Sequence, residues 1–262
     1  MSIGELMRTF ILICSALVAI EQNVLTPSVS IGKDATIPST GKGDAKSSAE
    51  KGDAKAPVIV VGFVGGFVAH DNMVHSGVQL AAHLRSAHPA GVYVEVFENR
   101  RREKAHREIL KILNTNHNGT LSEEEKKKAQ IIIYGMSWGG SETVSLAKEL
   151  DAEHIPVLLT VQVDSIAKMR QNDEIIPANV SEAVNFYQSD GLLRGRSKIR
   201  AADEKRTRIL GNFRFDYKSK NIRCDNYPWY VRVFAKYHTK IECDTAVWKQ
   251  VESLISSKLP PV

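Results

Sequence analysis

The chain has 262 residues, of which 43% are hydrophobic and 25% charged, and its formal net charge is +5. This is enough chain for one sizeable α/β domain with accessory segments, and the composition is that of an ordinary globular protein. Basic residues are scattered. Arg100, Arg101, Arg102 and Lys104 form one cluster and Lys126, Lys127 and Lys128 another, neither interleaved with aromatics, so they read as solvated helix faces and not as a nucleic-acid groove.

At the N-terminus Arg8 precedes an apolar run at 10–20 (FILICSALVAI), closed by Glu21. A bilayer span takes about 20 apolar residues, so so short a run suits the apolar part of an export signal. We expect 1–22 to be a signal peptide, with an uncleaved anchor and membrane association as the alternative, and a periplasmic or extracellular location. Glu5 offsets Arg8, and Leu17 fits a cleavage site at Ala19 poorly. Cys14 lies inside the run instead of just after it, against a lipoprotein anchor. Residues 23–56 are rich in Gly, Ser, Thr, Lys and Asp and hold an imperfect repeat, GKGDAK at 41–46 and EKGDAK at 50–55. Such a segment has too little apolar surface to offset its ordering entropy and reads as a disordered linker, leaving 57–262 as the folded domain.

Within that domain the hydrophobic periods alternate. The run 58–63 (VIVVGF) reads as a strand buried on both faces, 74–85 as an amphipathic helix, 92–97 as a strand and 104–113 as a helix. Next come a buried strand at 130–134 (QIIIY), a helix reaching Leu150, and a strand at 156–163 (PVLLTVQV). Strands alternating with helices predict a doubly wound, mostly parallel sheet with helices on both faces, whose sites gather at the carboxyl ends of the strands. Further on, 177–200 reads as a small lid-like insertion with an amphipathic helix at 180–188, and 207–215 is strand-like. A loop around His238 separates the apolar segment 229–234 from a final helix at 246–255.

The motif Gly135-Met136-Ser137-Trp138-Gly139 follows a strand and opens a helix, the setting of a nucleophile elbow. Small flanking residues let the serine occupy a strained turn at the positive end of a helix, where the Trp138 N–H can meet an oxyanion. A serine hydroxyl needs a base, and the base an orienting carboxylate. After Ser137 the only histidines are His154, at the amino end of a strand, and His238, which we take as the base. For the acid, Asp164 closes a strand; Asp216 is the rival, with Asp244 and Asp225 behind it. The glycine-rich stretch 62–67 follows the first strand and offers Phe67 or Gly66 as a second oxyanion donor. It lacks the G-x-G-x-x-G spacing of a dinucleotide site. His70 and Asp71 lie nearby and read as exposed loop residues.

With these residues in hand, GFVGGF, GMSWGG, the strand-terminal VDS and HTKIECD before a final helix, the chain resembles the α/β-hydrolase superfamily over about residues 57–256, and more narrowly its exported lipase- and thioesterase-like members. The resemblance implies a triad of Ser137, Asp164 and His238 and a two-step acyl-enzyme reaction on a small-molecule or lipid ester or thioester, without cofactor. An acyltransferase on the same triad and a non-catalytic binding protein of this fold are the alternatives. Met136 departs from the pattern, where such enzymes often carry histidine.

Two further features complete the reading. Cys224 and Cys243 are the only cysteines besides Cys14 and would be natural disulfide partners in an oxidising compartment, with two separate thiols as the alternative. The stretch 114–125 imitates a calcium loop, with oxygens at Asn114, Asn116, Asn118, Thr120 and Glu125, but only one of these is charged. The competing reading is a polar turn in which Ser122 and Glu125 form a capping box. No zinc-type Cys/His spacing is present.

Overall fold

The computed structural model describes residues 57–261. The signal peptide expected over 1–22 and the linker expected over 23–56 lie outside the described residues. Six strands form the central sheet: β1 (Val58–Val64), β2 (Val92–Glu98), β3 (Ile131–Met136), β4 (Val157–Val163), β6 (Val180–Tyr187) and β8 (Arg208–Arg214). The short β5 (Ile175–Ile176) and β7 (Arg200–Ala201) pair separately. The helices are α1 (Ser76–Ala87), α2 (Arg102–Leu113), α3 (Glu123–Lys127), α4 (Trp138–Ala152), α5 (Trp229–Phe234), α6 (Lys236–Cys243) and α7 (Thr245–Ser256).

The sheet order is β2-β1-β3-β4-β6-β8, and every neighbouring pair is parallel. Parallel strands covered by helices on both faces need apolar side chains at every position, which is why β1 and β3 are buried along their whole length. Their alternate residues feed two cores. Val58 and Val60 of β1, with Ile132 and Tyr134 of β3, meet Val78, Ala81 and Leu84 of α1 and Val247, Val251 and Ile255 of α7. On the other face Ile59, Val61, Ile131 and Ile133 meet Ala105, Ile109 and Leu113 of α2 and Val144, Ala147 and Leu150 of α4. The buried positions of α2 recur every four residues, the stripe a helix needs to lie on a sheet.

Strand order reverses around β1, which lies between β2 and β3. At such a reversal the connections leave in opposite directions and open a crevice at the carboxyl ends of the two strands. The loop after β1 and the turn after β3 both face that crevice.

Two expectations are corrected. Residues 180–188 do not form a lid helix: Val180–Tyr187 is the interior strand β6, between β4 and β8. Val180, Val184 and Gln188 fit a four-residue period, but Val180, Val184 and Phe186 fit a two-residue period as well. The β-branched and aromatic content then favours the strand once two sheet neighbours are available. Phe186 stacks on Phe213 of β8, with ring centroids 5.5 Å apart. The second correction concerns His238, which stands within helix α6 and not in a loop. Ile241 of that helix is buried, and the Thr239 hydroxyl donates to Ala235 O at 3.0 Å, tying down its first turn.

Gly62 also has a structural explanation. A Cβ there would stand 2.4 Å from Cζ of Tyr134, whose hydroxyl donates to Gly77 O at 2.7 Å. The glycine makes room for a buried ring, not for a phosphate. Gly62→Ala is therefore expected to destabilise the domain by about 1–3 kcal/mol through overpacking, read as a lower denaturant midpoint at unchanged slope.

Candidate active site

The turn between β3 and α4 sets Ser137 at φ 58° and ψ −124°, a conformation that costs a non-glycine residue about 1–3 kcal/mol. It is held from the neighbouring strand end. Ser137 N–H donates to Val163 O at 3.0 Å, and Ile166 N–H donates to Ser137 O at 3.1 Å. The glycines around the serine permit close approach: a Cβ on Gly139 would lie 2.1 Å from Phe63 O, so only glycine lets α4 start against β1. Ser137 is itself half-buried.

One strand over, Asp164 ends β4 at φ 44°, fully buried. Its N–H donates to Phe186 O of β6 at 2.7 Å. Its Oδ1 accepts the Gln188 N–H at 3.0 Å, and its Oδ2 accepts Gln188 Nε2 at 2.8 Å. The remaining partner is His238, whose Nδ1 lies 2.6 Å from Oδ2. With the carboxylate oxygen as acceptor, the donor of this contact is His238 Nδ1. Among the described residues no hydrogen bond joins Ser137 Oγ to His238.

The other acids and histidines fall elsewhere. Asp216 is exposed and accepts the Lys218 N–H. Asp225 pairs with Arg223 at 2.7 Å. Asp244 caps α7 through Ala246 N–H and accepts the Tyr217 hydroxyl at 2.9 Å. Burial, then the Asp244 contact and the charge of Asp164, push the Tyr217 phenol far above its ordinary range, so it remains a donor. His154 lies before β4, at the amino end of the sheet. His70 sits on Glu98 at 3.0 Å and Asp71 is exposed.

The expected oxyanion residues lie beside the serine. A Cβ on Gly65 would come within 2.7 Å of Ser137 Cβ, so the loop after β1 runs directly alongside it. Trp138 opens α4, and its N–H therefore has no acceptor one turn back within the helix. The rings of Phe67 and Trp138 meet edge to face with centroids 5.7 Å apart. The carboxyl ends of β1, β3 and β4 thus carry Gly66, Phe67, Ser137, Trp138 and Asp164, and Asp164 is the one of these in contact with His238 among the described residues.

The fold is α/β-hydrolase-like. No family model matches the chain, and no curated protein matches it. Among solved structures it is similar to an acetylxylan esterase at 11% identity and a TM-score of 0.38, over 78% of this chain and 99% of that one. It is similar to RedJ, a structure with PEG bound in its active site, at 12% identity and a TM-score of 0.33, over 84% and 99%. The values for SOBER1 of Arabidopsis thaliana are 9% and 0.35, over 78% and 100%. The fold assignment rests on this chain's own strand order, crossovers and elbow.

Sequence reasoning missed Gln188, because the segment before it was read as a helix and its amide had no visible target. It also missed Glu142, which is buried on α4 and accepts from Arg102, from Lys168 Nζ at 2.6 Å and from Gln171 Nε2 at 2.9 Å. Arg102 is accordingly part of an ion-pair cluster and not a member of a solvated basic face. Cys224 and Cys243 are joined in a disulfide with Cα atoms 5.8 Å apart, and they bracket His238 in sequence.

In the calcium-like stretch, Asn118 Oδ1 accepts Thr120 N–H at 2.9 Å and Asn116 Oδ1 accepts Asn118 N–H at 2.9 Å. The backbone of Asn114 continues from α2 by donating to Leu110 O. Glu125 accepts from Ser122, Thr115 and Asn116, completing the capping box with Ser122. Its oxygens serve helix α3 and the turn before it. The Ser122 backbone and hydroxyl bonds, foremost, hold its carboxyl down at about 2. A depressed carboxyl contributes stability above its unfolded value and loses it as pH falls through the folded one. Glu125→Gln is therefore expected to lower the melting temperature slightly at neutral pH, with the difference from wild type closing between about pH 4.5 and pH 2.

Proposed function

We propose that the protein is a serine hydrolase acting on a carboxylic ester or thioester through an acyl-enzyme, with Ser137 as nucleophile, His238 as general base and Asp164 as its orienting carboxylate. One observation carries this reading: the 2.6 Å contact of His238 Nδ1 with a fully buried aspartate, one strand away from a serine held at positive φ at a strand-to-helix turn. A histidine and aspartate serving stability alone would not call for strained backbone at two adjacent strand ends.

The chemistry follows from the donors and acceptors. Asp164 keeps the His238 proton on Nδ1, so Nε2 takes the Ser137 proton as Oγ bonds to the substrate carbonyl carbon. The carbonyl π electrons move onto oxygen, and the N–H groups of Trp138 and Phe67 are the donors proposed to meet that charge. Collapse reforms the C=O bond and expels the alcohol or thiol, which takes the proton from the imidazolium. Water then repeats the sequence on the acyl-enzyme and restores Ser137. The missing Ser137–His238 hydrogen bond forms on this reading when substrate closes the site, a common difference between free and occupied enzymes. The disulfide and the apolar run at 10–20 together support export to an oxidising compartment.

A fluorophosphonate probe is expected to label Ser137, and Ser137→Ala to abolish labelling and p-nitrophenyl acetate hydrolysis. Asp164→Asn is expected to lower kcat by about 1,000-fold or more. A folded wild-type protein that takes up no probe would overturn the proposal. A second outcome concerns the disulfide, which closes a loop about 20 residues long and constrains the chain on either side of His238. Reduction is expected to lower activity at denaturant concentrations where the far-ultraviolet circular dichroism is still native.

A further inference from the structure

The geometry points to Asn99 as the positioning residue that aims the oxyanion hole. This inference rests on the serine-hydrolase reading above. Asn99 follows β2 directly and is 5% exposed. Its side-chain Nδ2 donates to Gly66 O. Gly66 sits at φ 50°, in a turn closed by Val68 N–H donating to Gly65 O at 3.2 Å. In a trans peptide the C=O and N–H point to opposite sides. Fixing the Gly66 oxygen on Asn99 therefore fixes the Phe67 N–H in the direction away from Asn99.

Sheet order says where that direction leads. Asn99 leaves the end of β2 and Ser137 leaves the end of β3, while β1, which carries the loop, lies between them. An N–H turned away from the β2 side is turned toward the β3 side, where a Cβ on Gly65 would stand 2.7 Å from Ser137 Cβ. Without the Asn99 bond nothing at φ 50° on a glycine prevents the peptide from rotating, since glycine has no Cβ to resist it. A rotated peptide would present a carbonyl oxygen to the developing oxyanion instead of a donor.

Asn99 is itself held. Lys168 Nζ donates to Asn99 O at 2.8 Å and to the buried Glu142 at 2.6 Å, and Arg102 donates to the same carboxylate. Glu142 belongs to α4, the helix that begins immediately after Ser137. The cluster thus ties the elbow helix to the residue that orients the oxyanion loop, so the two N–H donors keep a common register. Glu142 is buried while Arg102 and Lys168 are partly exposed, and none of these groups contacts Ser137, His238 or Asp164 among the described residues, so the cluster bears on the site through Asn99 and α4.

Asn99→Asp keeps the size of the side chain while replacing the donor by an acceptor that repels Gly66 O. We expect kcat on p-nitrophenyl acetate to fall by about 10- to 100-fold with KM within about threefold, because the lost interaction is one made in the transition state. The affinity for phenylboronic acid, which forms a tetrahedral adduct on serine, should fall in the same proportion. A merely structural role would lower the melting temperature without tying these two quantities together. Lys168→Met, at a partly exposed position, is the second variant: it frees Asn99 O while leaving Glu142 with Arg102, and should reduce both quantities by about 3- to 10-fold. Wild-type activity and Ser137 labelling, combined with kcat within twofold of wild type in both variants, would overturn the role of Asn99 alone. Loss of kcat with unchanged boronate affinity would overturn it too. Absence of labelling in the wild type would instead remove the serine-hydrolase reading beneath it.

Discussion

At the carboxyl edge of the sheet β4 and β6 act as clamps, each holding the residue that follows its neighbour. Phe186 O of β6 accepts the Asp164 N–H, and Val163 O of β4 accepts the Ser137 N–H. Both held residues lie at positive φ, a region that few non-glycine residues occupy. The hydrogen bonds that offset this strain belong to the sheet ladder, whose strands are fixed by two apolar cores. Side-chain geometry at the site is therefore inherited from strand register: slip β4 by one residue and both the serine turn and the aspartate lose their anchors.

This dependence explains what could be read from the sequence. The runs at 58–63 and 130–134 announced buried parallel strands because burial on both faces leaves no room for polar residues, and the structure extends them to Val64 and Met136. Ser137 was legible because steric crowding at an elbow restricts its flanks to glycine, a signal carried by five adjacent residues. Asp164 was legible as a strand-terminal carboxylate, whereas the exposure of Asp216 became visible only in the fold. His238 was placed by chain order, but its helix was not, since residues 236–243 contain few large apolar side chains to declare a helical stripe.

What stayed hidden depends on contacts distant in sequence. The segment 180–187 satisfied both a helical and a strand period, and only the two flanking strands decided between them. With that strand misread, Gln188 could not be seen as the residue whose backbone and side-chain N–H groups both serve Asp164. The cluster of Arg102, Glu142 and Lys168 was equally invisible: three charged residues from separate elements look like surface charge until the fold brings them together. Burying a carboxylate is tolerable when cations and amide donors surround it, and no local pattern announces such an arrangement.

The contact between Asp164 and His238 joins residues 74 positions apart, whereas Ser137 and Asp164 end consecutive strands of the sheet. During synthesis the elbow and its aspartate can therefore assemble while the histidine has yet to emerge, because local strand pairs close before distant ones. On the proposed roles, a chain stopped before α6 would carry the strained serine without its base. If Ser137 and His238 act as proposed, the order of the sequence withholds reactivity until the last helices have docked.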